Sequence, residues 1–141
     1  MIYAATGARA TLPFFHGDRM HWFYQRVYSA AACVGGTEAA AFAVGPTGAL
    51  SELFHIRPDE ASAEQRGKAI AAFKDLVAPC AQDNREDVLE IEPGSAERPA
   101  QYCLVRLIRR GLHVTAAVAV IARCRDDDHA LERLGILRKV L

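Results

Sequence analysis

At 141 residues and 51% apolar, the chain is long enough for one compact domain whose core needs neither a metal nor a disulfide. Its 17 basic and 17 acidic residues cancel, and the basic ones lie scattered, which excludes the concentrated basic stripe that a nucleic-acid backbone selects. The N-terminal stretch MIYAATGARATLPFFHGDR lacks the basic start and continuous apolar run of a signal peptide, and the longest apolar run, 116–122, is far short of a membrane span, so a soluble cytoplasmic domain without membrane contact is expected.

Residues 1–17 read as irregular. Asp18 is placed to cap a helix over 19–33, with Met20, Phe23, Val27 and Ala30 or Ala31 along one face and Gly35-Gly36 ending it. EAAAFAV at 38–44 and ALSELFHI at 49–56 then read as a hairpin around the turn GPTG. Ser62 and Gln65 have capping-box spacing, Ile70, Phe73 and Val77 recur at helical intervals, and Pro79 marks the end of a helix over 62–78. The polar stretch AQDNRED leads to a strand at 88–92, and PGSAERPA at 93–100 is a loop.

YCLVRLIRRGLHVTAAVAVIARC at 102–124 folds back on itself at Arg-Arg-Gly. In its second half Val114, Ala116, Val118, Val120 and Ala122 point one way and Thr115, Ala117, Ala119 and Ile121 the other, so both faces are apolar. Such a strand must be covered on both sides. Asp127 or Asp128 caps a last helix with the stripe Ala130, Leu134, Leu137 and Leu141, and with Arg138 and Lys139 near its end. The order helix, strand, strand, helix, three strands, helix predicts an α+β fold over 18–141: a mostly antiparallel five-stranded sheet, with the terminal helices on one face and the middle helix on the other.

This order, the GGTEAAAFAV opening of the first hairpin, and the ending in which a strand hairpin runs through an acidic loop into an exit helix resemble the GAF domain family; PAS and profilin-like sheets share much of the layout. The resemblance spans 18–141. It implies a regulatory or sensor module, a sheet face that cups a small ligand, and an exit helix that pairs with its twin in a homodimer. The chain departs from the ligand-binding members, because only PGSAERPA stands where their lid would be. The N-K-x-n-F-x-x-x-D-E signature of the cyclic-nucleotide binders and the cysteine beside histidine that attaches a bilin are both missing.

The four cysteines, Cys33, Cys80, Cys103 and Cys124, have no metal-ligand or disulfide-framework spacing. Cys33 and Cys103 fall in apolar segments, Cys80 and Cys124 at more exposed element ends. The five histidines do not converge, so no metal or cofactor is expected. No catalytic motif is present, and an enzyme is not expected.

Three functions stay open. The first is a non-catalytic regulatory or interaction domain that dimerises through its terminal helices, with Trp22, Phe23, Leu134, Leu137 and Leu141 at the contact, and relays or organises an attached module. The second is a small-molecule sensor, with Phe42, Phe54 and Tyr102 as apolar walls and Arg106 meeting an anion. Arg106 sits between apolar neighbours on its strand face, so its bland alternative is a salt bridge to a carboxylate such as Glu52 or Glu90. The third is a thiol enzyme of the free methionine sulfoxide reductase type, on Cys80 and Cys103.

Overall fold

The computed structural model describes residues 18–57 and 62–141. Helix α1 (Asp18–Cys33) buries Met20, Phe23, Val27, Ala30 and Ala31, the face that spacings of three and four set out. The chain leaves it through Gly35 at φ +67°, a left-handed conformation that costs glycine little. Strand β1 (Gly36–Val44) starts at once, and a Cβ on Gly36 would stand 2.6 Å from Val120 Cγ1. Gly35 therefore turns the chain, and Gly36 lets it pass a neighbouring strand at close contact.

β1 pairs antiparallel with β2 (Leu50–Ile56). Helix α2 (Ala63–Asp83) opens on the expected capping box: Ser62 Oγ accepts from the Gln65 amide at 3.1 Å, and the Gln65 side chain accepts from the Ser62 amide at 2.9 Å. It does not stop at Pro79. A proline removes one donor and crowds one carbonyl, but here Pro79 faces solvent and the added turn buries Cys80 and Ala81. Asn84 ends the helix at φ 54°, its amide donating to Cys80 O.

β3 (Asp87–Glu92), β4 (Ala100–Arg110) and β5 (His113–Cys124) follow, and then α3 (Asp127–Val140). The N-cap of α3 is Asp126, one residue before the expected pair, and it accepts from the His129 amide at 2.8 Å. The five strands form one antiparallel sheet in the order β2-β1-β5-β4-β3.

β5 is the central strand, and it is covered on both sides. Ala116, Val118, Val120 and Ala122 pack with Met20 and Val27 of α1 and Leu134 and Leu137 of α3. Ala117, Ala119 and Ile121 pack with Ile70, Phe73 and Val77 of α2. Val114 breaks the expected alternation and joins the α2 side, because the register with β4 shifts between Ile108 and Arg109.

Candidate interaction surface

Helices lie on both sheet faces, and the four residues expected to line a pocket do not all meet. Phe42 is buried under α2. Phe54 pairs across the hairpin with Ala41, shares its face, and is buried with Tyr102 under α1 and α3. Cross-strand partners share a face while sequence neighbours do not, so hairpin register decided what residue spacing could not. Arg106 shares the Tyr102 face but is held by Glu86 at 2.7 Å, a salt bridge of the expected kind with a different partner from Glu52 or Glu90.

The remaining polar clusters are also held within the chain. Glu86 accepts further from Arg138 Nε at 2.5 Å and from the Leu107 amide at 2.9 Å. The Tyr102 hydroxyl donates to Asp127 at 2.6 Å, and that bond together with burial holds its pKa well above the usual phenol range. His55 is buried, packs edge-on against Phe73, and brings Nε2 to 2.5 Å from Glu38 Oε2. Sequence reasoning missed this pair; a histidine in an apolar strand alongside a glutamate two strand positions from its cross-strand partner is the signal that was there.

Three of the four thiols reverse the expected exposures, and Cys103 keeps its own. Cys33 is exposed, whereas Cys80, Cys103 and Cys124 are buried. Cys80 is covered because α2 runs past Pro79, and Cys124 because β5 reaches the α3 side of the core. Burial pushes the Cys103 thiol up to about 12 and raises those of Cys80 and Cys124, which disfavours the thiolate that reactive cysteine chemistry needs. Among the described residues no group of histidines, cysteines and carboxylates gathers to hold a metal ion.

The terminal helices spend their stripes on the chain's own core. Phe23, Leu134 and Leu137 are buried there, and Leu141 packs half-buried against it. Trp22 stays 62% exposed and Leu131 49%. The two stand apart: Trp22 lies with Arg26 beside Val140 in the α1–α3 groove, while Leu131 is two turns from Arg138, which reaches toward Glu86 at the start of β3. They do not form one seam.

A different surface is more continuous. One helix cannot cover five strands, and α2 leaves a strip open beside β3, where Ala69, Ala72 and Leu76 face Ile91 across a groove of about 160 Å³. Glu38 and Gln101 line the same groove. β3 is also an end strand, bonded to β4 along one edge only, and its last residues are exposed. A larger open cleft of about 600 Å³ lies elsewhere, between the 45–48 turn, the end of α2 and the start of β5, with Thr47, Asn84 and His113 among its walls.

No family model, curated protein or solved structure matches this chain. Among the described residues no helix is long and apolar enough to cross a membrane.

Proposed function

We propose that the chain is a non-catalytic interaction domain that works through the flank of α2 and the edge of β3. The reading keeps the regulatory role that the GAF resemblance implies and moves the contact from the terminal helices to the other face of the sheet. The observation that carries it is the open strip: Ala69, Ala72, Leu76 and Ile91 expose apolar surface beside a strand edge with no neighbour among the described residues. The polar clusters support it, because Glu86, Arg106, Tyr102 and Asp127 are occupied in holding β3, β4 and α3 together.

A photo-crosslinking side chain at position 91 is expected to capture a protein of defined mass in cells that produce the chain. Ala72→Glu should abolish that capture and leave the unfolding midpoint unchanged. No capture, or capture indifferent to Ala72→Glu, overturns the reading.

The 600 Å³ cleft supports a second reading, a small-molecule sensor, because its size suits a ligand and its walls mix hydroxyl, amide and imidazole groups with apolar ones. A small molecule retained by the purified domain in native mass spectrometry, and lost in a Thr47→Trp variant, would favour it over the interaction domain.

A further inference from the structure

We propose that the β3 edge takes up an extended segment of a partner protein as a sixth strand, and that this segment alternates apolar with basic side chains. The proposal deepens the interaction reading above and rests on it.

Main-chain geometry comes first. An end strand turns alternate amides and carbonyls away from its neighbour, and an added strand satisfies them at little cost because the template is already rigid. Here β4 and β5 hold β3 in place, and Arg138 of α3 ties the adjoining Glu86. The Val88 amide donates to the neighbouring Asp87 side chain at 2.8 Å.

Side chains decide what the added strand contains. Alternate residues of a sixth strand would lie on the α2 side, beside Ile91 and the mouth of the groove that Ala69, Ala72 and Leu76 line. The two alanines there make room for branched aliphatic groups. The other positions meet Glu90, which shares the Tyr102 face; the two further acidic residues of β3, Asp87 and Glu92, stand at its ends on the α2 side, and the strand carries no basic residue. Glu38, backed by the buried His55, adds a carboxylate at one end of the groove.

These charges argue against a second copy as the occupant. In the fully overlapped two-fold register Asp87 would stand opposite Glu92, and like charges directly opposed across strands are destabilising. They argue equally for a basic partner. Arg85 lies 3.8 Å from Asp87 and the half-buried Arg123 lies 3.6 Å from Glu92, long pairs at the surface that contribute little. Glu90 has no ion pair among the described residues and accepts only a long bond from the Tyr102 hydroxyl, at 3.4 Å.

The test uses the whole chain, isotope-labelled for NMR, and four short end-blocked peptides: one alternating lysine and valine, one alternating glutamate and valine, and two copies of the first, methylated on the backbone nitrogens of the lysines in one and of the valines in the other. The lysine peptide is expected to shift the amides of residues 88–92 saturably. Glu90→Lys should weaken it about tenfold, equivalent to roughly 1.4 kcal/mol. The glutamate peptide and one methylated register should fail. Equal binding of both charge types, indifference to methylation, shifts spread over the surface, or no binding would each overturn the proposal. So would concentration-dependent shifts of 88–92 without peptide, which would give the edge to a second copy. If the peptides fail while the position-91 crosslink forms, the partner chemistry falls and the interaction domain stands. If the lysine peptide binds but nothing crosslinks in cells, the interaction reading falls and the proposal with it.

Discussion

The Glu86 carboxylate ties its own stretch of chain to two others, β4 through Arg106 and the Leu107 amide and α3 through Arg138. Burial alone would raise its pKa, but these donors outweigh burial and hold the group below the ordinary carboxylate range. A carboxylate pKa lowered by folding stabilises the folded state fully above the unfolded value of about 4.3, and that stability is lost as the pH falls through the lower, folded value. Glu86→Gln is therefore expected to cost roughly 1–3 kcal/mol at neutral pH. The gap from wild type should narrow in acid once both forms are uncharged, as urea unfolding at the two pH values would read. A gap of equal size at both would mean that charge on Glu86 contributes nothing. A cation on an apolar strand face announces an anion, so half of this contact was legible in the sequence. Its partner was not, because Glu86 lies in the polar run after α2, whose position depends on where that helix ends.

α2 separates local from tertiary causes most clearly. Its start was legible, because the Ser62–Gln65 box is satisfied within four residues. Its end was not, because the turn after Pro79 is stabilised by burying Ala81 and by packing Cys80 against strands distant in sequence. Gly67 is exposed in the first half of this helix, and a Cβ there would have nothing within 4 Å. Glycine loses more backbone freedom than alanine on entering a helix, so Gly67→Ala is expected to stabilise the isolated chain by roughly 0.5–1 kcal/mol, read as a shifted urea midpoint at constant slope. A loss instead of a gain would show that residue 67 is in contact with something in solution.

At the scale of the molecule, two apolar faces on 113–124 were enough to place that strand at the centre and helices on both sides, because alternation is a property of one strand read alone. Which residues of different strands share a face is a property of register, and the supposed ligand walls Phe42 and Phe54 ended on opposite sides for that reason. The leucine stripe of α3 was legible as apolar, but what it packs against was not, since a stripe that lies on its own sheet and one that meets a twin helix have the same spacing. The structure separates these uses by burial: Leu137 is fully covered, and Trp22 is not. A carboxylate at 137 would have to be buried without a partner, which costs several kcal/mol against a stability of about 5–15 kcal/mol for a domain of this kind. Leu137→Asp is accordingly expected to abolish cooperative unfolding, and it is no probe of assembly. Trp22→Glu should leave the unfolding midpoint near that of wild type, because the ring is largely exposed and, among the described residues, stacks on Arg26 at the surface. Sedimentation equilibrium of wild type and Trp22→Glu then decides what the terminal helices do. A wild-type dimer that Trp22→Glu converts to a folded monomer would restore the contact through α1 and α3. Equal masses for the two would confine both helices to covering their own sheet and leave the α2 flank and the β3 edge as the surface on which association must be sought.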